Sequence, residues 1–75
     1  MASKKQTGLQ LRRYRVNAGL TPEDLGHKVG LSGMTIRRIE NGIGAPTVRT
    51  QFLIARELGL DVTDIWPLDR PRVSA

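Results

Sequence analysis

Apolar residues recur at three- and four-residue intervals along most of this 75-residue chain. That spacing places side chains on one face of a helix, whereas no segment shows the strict alternation of a half-buried strand. Glycines, prolines and capping residues divide the pattern into short segments. The sequence therefore predicts an all-α fold of five short helices, at residues 8–18, 22–29, 33–41, 48–58 and 62–66.

The second predicted helix has clear signals at both ends. Thr21 is a favourable N-cap, Pro22 suits the first helical position, and Asp24 has the spacing of a capping box with Asp in place of Glu. Gly30 is expected to end the helix. Gly26 lies inside it and costs about 1 kcal/mol of helix propensity relative to alanine, so we expect another helix to cross closely there.

The third predicted helix separates apolar from basic side chains. Ser32 suits its N-cap, and Ile36 and Ile39 point to one side. The opposite side carries Met34, Arg37, Arg38 and Asn41. Two short amphipathic helices that meet at residues 30–32, with an outward arginine pair on the second, are typical of a helix-turn-helix that reads DNA.

The apolar stripes of the first and fourth helices are less regular. On the first helix the apolar positions are Leu9, Leu11, Tyr14 and Ala18. On the fourth helix they are Val48, Phe52, Ala55 and Leu58, with Ile54 at one margin. Leu53 lies opposite this stripe and Gln51 lies toward it, which indicates either a slightly rotated helix or a subunit contact. A subunit contact would involve Leu53, Trp66 and Leu68.

Composition adds a preference for anionic partners. The net charge is +5, and such a surface favours nucleic acid, although many small soluble domains are also basic. With no cysteine and one histidine, we expect no metal site, and we expect no cofactor or small-molecule ligand. No apolar run approaches a membrane span and no secretory signal is evident, so a cytoplasmic, nucleoid-associated protein is expected.

The length leaves room for one small domain, which we place at residues 8–68. Residues 1–7, which include Lys4 and Lys5, are predicted to form a flexible basic arm. Residues 69–75 are predicted to form a flexible tail. No paired carboxylates, Ser/His/Asp set or phosphate-cradling glycine loop is evident, so an enzyme is not expected.

Four blocks in order, residues 8–15, 19–30, 36–42 and 46–59, resemble the Cro/repressor class of helix-turn-helix proteins, the XRE family, which includes lambdoid phage repressors. The resemblance covers nearly the whole predicted domain and implies a lambda-repressor-like fold. It implies a core of Leu25, Val29, Leu31, Ile36 and Ile39. It also implies an ion pair between Arg15 on the first helix and Glu40 on the recognition helix.

The same resemblance assigns DNA contacts to matching positions. Base-facing positions are Gly33, Met34, Arg37 and Arg38. Positions that usually touch phosphates are Thr21, Thr35 and Asn41. Lys28 and Arg49 are predicted as further phosphate contacts, while Lys4 and Lys5 belong either to a solubilising tail or to an arm on the DNA backbone.

The chain departs from the family at three of these positions. Many phage repressors have glutamine where this chain has Pro22, Gly33 and Met34. Pro22 cannot donate a hydrogen bond, and Gly33 has no side chain. The operators of those relatives therefore do not transfer to this chain. The loop at residues 43–45, often basic in the family, is apolar here.

The resemblance and the short length together imply a regulator of phage or mobile-element type that binds a double-stranded DNA operator. A homodimer is expected, formed either in solution or only on DNA, with recognition helices about 34 Å apart. Two alternatives stay open. One is an antitoxin-type module that binds a protein through its C-terminal region. The other is an architectural factor that bends DNA during phage integration or excision.

Overall fold

Five α-helices follow one another in the computed structural model, which describes residues 4–67. They are α1 (Lys4–Asn17), α2 (Pro22–Val29), α3 (Gly33–Glu40), α4 (Val48–Glu57) and α5 (Val62–Ile65). Residues 4–67 contain no strand, so the predicted all-α class is confirmed. Leu68 and the predicted tail, residues 69–75, lie outside the described residues, as do the side chains of Lys4 and Lys5.

Helix α1 begins at Lys4 rather than at Gly8, so residues 4–7, which were predicted as part of a flexible arm, are helical. Lysine and glutamine are good helix formers, and they extend a helix that is already held against α3. That contact is close at Gly8, where an added Cβ would overlap the carbonyl oxygen of Glu40. The other helix bounds lie within one residue of their predicted positions.

The core lies where the helices converge: α2 packs on α3 and α4, and α1 packs on α3 and α5. Its buried apolar residues are Leu11, Leu25, Ile36, Ile39, Ile54, Ala55 and Ile65. Val29 and Leu31, which were also predicted as core, are partly buried at its margin. The two helices of the helix-turn-helix are therefore fixed to each other by the residues that the resemblance implied.

Helix α4 is rotated relative to its predicted stripe. Ile54 and Ala55 are buried, but Val48 is 65% exposed and Phe52 is 56% exposed, so the predicted stripe is wrong in its first half. The face that packs inward includes Gln51, whose Nε2 donates a hydrogen bond to the carbonyl oxygen of Pro46 (3.4 Å). Because this amide has a local acceptor, a polar residue is tolerated on the inner face.

Gly26 meets the turn that follows α2, not a crossing helix as expected. A Cβ at Gly26 would lie 2.6 Å from the carbonyl oxygen of Leu31 and 3.0 Å from the backbone of Ser32. The chain folds back over Gly26 because the Leu31 N–H donates to the Gly26 carbonyl oxygen at 2.7 Å. The missing side chain is therefore required by the turn of the helix-turn-helix.

We expect Gly26→Ala to lower the free energy of unfolding by about 1–3 kcal/mol, because the new methyl group displaces backbone. The gain in helix propensity of about 1 kcal/mol offsets part of this loss, so the net loss is up to about 2 kcal/mol. Urea denaturation measures it. Gly33→Ala is the matched control, since a Cβ there meets only the flexible Glu23 side chain. A Gly26→Ala protein as stable as Gly33→Ala would contradict the close backbone approach.

The start of α2 is held by the predicted capping box. The Asp24 N–H donates to Thr21 Oγ1 and the Thr21 N–H donates to Asp24 Oδ2, both at 3.0 Å. The hydrogen bond from the Thr21 backbone to the Asp24 carboxylate lowers the pKa of Asp24 below its ordinary value of 3.8. The charged form of Asp24 is thus favoured in the folded protein.

This shift predicts a pH-dependent contribution to stability. A carboxyl group whose pKa is lowered on folding stabilises the protein above its unfolded pKa, and that contribution is lost as the pH falls through the folded pKa. We expect Asp24→Asn to be less stable than wild type near neutral pH, with the difference shrinking below about pH 4. Urea denaturation across the acid range measures it. A difference independent of pH would contradict the assignment to the Asp24 charge.

Candidate nucleic-acid interface

The turn between α2 and α3 fixes where α3 begins. Gly30 ends α2 in the left-handed conformation, with φ of 79°, which glycine adopts without strain. Ser32 then caps α3, because its Oγ accepts a hydrogen bond from the Thr35 N–H at 3.1 Å. Local hydrogen bonds therefore set the exit from α2 and the entry into α3.

Helix α3 has one face in the core and one in solvent. Ile36 and Ile39 are buried, whereas Met34 is 61% exposed. Arg37, Arg38 and Asn41 are exposed on the other side, as their helical positions predicted. Gly33 is half-buried at the first position of the helix. The proposed base-facing residues thus lie on a helix whose back is packed.

A groove of about 360 Å³ brings Arg37 of α3 and Asn41, which follows α3, together with Arg12 of α1 and Pro22 of α2. Arg15 and Glu40, which are buried, also line it. Arginine side chains and helix N-termini are common phosphate ligands in DNA complexes. The groove is therefore suited to a DNA backbone that runs beside α3.

A second, shallow groove of about 210 Å³ borders the other side of α3. Thr35 and Arg38 line it together with residues 43–46 of the following loop. The predicted phosphate contact Thr35 and the predicted base contact Arg38 are thus neighbours. The Thr35 hydroxyl lies 3.0 Å from that of Ser32, so it also takes part in the cap of α3.

Arg15 and Glu40 form the buried ion pair that the resemblance implied. Arg15 Nε lies 2.5 Å from Glu40 Oε2, and Arg15 Nη2 donates to Glu40 Oε1 at 3.0 Å. Arg15 Nη1 donates to the carbonyl oxygen of Leu20 at 2.7 Å. One arginine therefore ties α1, the loop before α2 and the end of α3 together.

Glu23 and Arg37 form an ion pair that the sequence analysis missed. Arg37 Nη2 lies 2.5 Å from Glu23 Oε2, and both side chains are more than half exposed. Gly33 could have indicated this pair from the sequence. It lies one helical turn before Arg37, and because it has no side chain it leaves room there for a side chain from α2.

The remaining predicted phosphate contacts are dispersed. Lys28 lies at the end of α2 and faces α4, with Nζ 3.9 Å from Glu57 Oε2. Arg49 is exposed on α4. Thr21 is exposed, and its oxygen accepts the capping hydrogen bond, which leaves its hydroxyl hydrogen able to donate. Contact of any of these residues with DNA stays a prediction.

The predicted subunit-contact residues differ in environment. Leu53 is 36% exposed on α4 and lies next to the exposed Phe52. Trp66 is partly buried against the core of its own chain, which gives it a packing role within the domain. Leu68 lies outside the described residues.

Among residues 4–67, no group of histidine, cysteine and carboxylate side chains is arranged to hold a metal ion. None of the helices described there is long and apolar enough to cross a bilayer.

Packed helices, a capped turn and an exposed basic α3 are the features of a helix-turn-helix DNA-binding domain. The helix-turn-helix family model matches residues 11–65, which is more than half of the chain. The chain therefore belongs to the helix-turn-helix family of the XRE class.

Similar proteins include regulators from two archaea. The chain is 40% identical over 57 residues to an uncharacterised helix-turn-helix-type transcriptional regulator of Methanocaldococcus jannaschii, covering 76% of this chain and 86% of that one. It is 38% identical over 60 residues to another from Methanothermobacter thermautotrophicus, covering 79% and 87%.

A bacterial relative is much larger. A propionyl-CoA carboxylase regulator of Cereibacter sphaeroides is 30% identical over 73 residues, covering 97% of this chain and 16% of the relative. No solved structure matches the chain significantly.

Proposed function

We propose that the chain is a sequence-specific operator-binding transcription regulator that places α3 in the major groove of double-stranded DNA. The supporting observation is the exposed face of α3, where Met34, Arg37 and Arg38 project from a helix whose opposite face is buried. The major groove is about 12 Å wide and admits an α-helix. The regulator acts in the cytoplasm, on the nucleoid.

Roles in recognition follow from side-chain chemistry. Arginine donates two hydrogen bonds to guanine O6 and N7, which suits Arg37 and Arg38, and the apolar Met34 suits a thymine methyl group. Gly33 lets the backbone of α3 approach the bases. The phosphate contacts in this proposal are Thr21, Lys28, Thr35, Asn41 and Arg49, with Lys4 and Lys5. These contacts set affinity, whereas the base contacts set sequence preference.

Repression by occupancy of an operator is the simplest mode of action for such a domain. A bound domain excludes other proteins from the same stretch of DNA. The proposal includes no catalytic step and no cofactor. The similar archaeal and bacterial regulators do not show an origin in a phage or mobile element. That origin therefore stays a prediction.

Selection from a random pool of DNA duplexes tests this function. Bound duplexes are recovered at roughly physiological salt, because salt decides how much non-specific binding competes. We expect enrichment of a defined motif by the wild type and its loss when Arg37 and Arg38 are both replaced by alanine. Tight binding at low salt without any enriched motif would overturn the proposal and favour an architectural role.

We further propose that two copies bind one operator, each reading half of it. The exposed Leu53, together with Phe52, is available for a contact between copies. Selection would then yield an inverted repeat with half-sites about 34 Å apart, whereas a monomeric reader yields one half-site. Leu53→Glu should weaken binding to the full repeat but not to a single half-site. Equal binding of both proteins to the repeat would exclude Leu53 from the contact.

A further inference from the structure

An acidic side chain lies on the proposed DNA-facing surface, beside Arg37. Glu23 reaches from the first turn of α2 to α3, where Oε2 lies 2.5 Å from Arg37 Nη2. Its carboxylate also lies over Gly33, since a Cβ added there would be 2.7 Å from Oε2 and 2.8 Å from Cδ. Gly33 and Arg37 are one helical turn apart, so the carboxylate bridges that turn of α3.

This placement is unfavourable for general DNA affinity. A carboxylate at the interface repels phosphates and reduces the local positive charge. It does not stabilise the fold strongly either, because both partners are more than half exposed and such pairs contribute little. The ion pair therefore has a clearer use in recognition than in affinity or stability.

The pair restricts the arginine that would read a base. A free arginine side chain has many rotamers, and a base contact must hold it in one of them, which costs conformational entropy. A guanidinium has five N–H donors, so a contact through Nη2 leaves donors for guanine O6 and N7. When Glu23 holds one edge of the Arg37 guanidinium before DNA binds, the remaining N–H donors point in a fixed direction. Arg37 is then less able to move to a nearby phosphate.

We propose that Glu23 is a specificity-determining positioning residue, which orients Arg37 toward one guanine, and that Gly33 supplies the space for its carboxylate. This inference rests on the proposed DNA-binding function. It predicts that three residues from two helices act as one unit. The alternative, direct reading of a cytosine amino group by Glu23, is separated from it by the experiment below.

The experiment measures base preference for Glu23→Gln against Glu57→Gln. Both changes remove one negative charge from an exposed, ion-paired carboxylate, but Glu57 lies beside Lys28, away from Arg37. Fluorescence anisotropy titrations use the duplex that the wild type selects and variants of it with each base pair changed in turn. Random-sequence DNA reports non-specific affinity, and thermal unfolding reports stability.

We expect Glu23→Gln to reduce the preference for guanine at the Arg37-dependent base pair roughly tenfold. Non-specific affinity should rise for both glutamine variants, whereas base preference should change only for Glu23→Gln. In an Arg37→Ala background, Glu23→Gln should have no further effect on base preference. Gly33→Ala should reproduce part of the loss with little change in thermal stability, because its methyl group displaces only the Glu23 side chain.

Two outcomes overturn the inference. One is an unchanged base-preference profile for Glu23→Gln. The other is a change that persists in the Arg37→Ala background, which would mean that Glu23 reads a base itself. Either result leaves the proposed function standing if the wild type selects a motif. Failure of the wild type to select any motif would instead remove the proposed function.

Discussion

Replacing Glu40 with alanine should lower the free energy of unfolding by about 3–5 kcal/mol, which is the usual effect of leaving one partner of a buried ion pair alone. The change leaves Arg15, which is 8% exposed, without its carboxylate partner and with only its hydrogen bond to the Leu20 carbonyl oxygen. Small domains have about 5–15 kcal/mol of stability, so a large part would be lost. Urea denaturation followed by circular dichroism measures it.

Glu57→Ala is the matched control for this prediction. Glu57 is an exposed carboxylate with Lys28 Nζ at 3.9 Å, and removal of such a pair costs about 0–1 kcal/mol. Joint replacement of Arg15 with methionine and Glu40 with leucine should recover part of the loss, because it removes both buried charges. If Glu40→Ala and Glu57→Ala lowered the free energy of unfolding equally, burial would not increase the contribution of the Arg15–Glu40 pair to stability.

Replacing Arg38 with alanine should reduce discrimination at one base pair of the selected operator by about 1–3 kcal/mol, or roughly 5- to 150-fold. Arg38 is exposed on α3 and has no role in the packed core, so stability should change little. Titration of the selected duplex and its single-base-pair variants measures the effect.

Arg13→Ala separates base reading from the loss of positive charge. Arg13 is exposed on α1 and lies beside Leu9 and Val16, in a groove that contains no residue of α3. Its removal should weaken all duplexes similarly or not at all. Wild-type base preference in Arg38→Ala would mean that Arg38 contacts only phosphate or solvent.

The features that the sequence predicted well are those decided by neighbours in the chain. The capping box of Thr21 and Asp24 depends on residues three apart, and the end of α2 depends on the conformation that Gly30 adopts. The two faces of α3 follow from the spacing of Ile36 and Ile39. Such features need no knowledge of how the helices pack.

The features that it missed depend on contacts between distant parts of the chain. The apolar stripe of α4 was misplaced, although a rotated helix was one of the two interpretations left open: the rotation buries Gln51 in part and exposes Phe52, which reverses what their polarity suggests. The neighbour of Gly26 is a turn and not a helix, and this depends on the path of residues 30–32. The ion pair between Glu23 and Arg37 joins two helices, so the residue pattern within either helix alone cannot predict it.

That pair also constrains how this regulator could evolve toward a new operator. Met34 and Arg38 are exposed residues that could be exchanged one at a time, and in the proposed interface each change would alter the preferred DNA sequence. Arg37 is linked to Glu23, and Glu23 occupies the space above Gly33. On the proposal that Glu23 positions Arg37, replacing Arg37 alone would leave the Glu23 carboxylate at the interface without its cation. The base assigned to Arg37 should therefore change more slowly in evolution than those assigned to Met34 and Arg38.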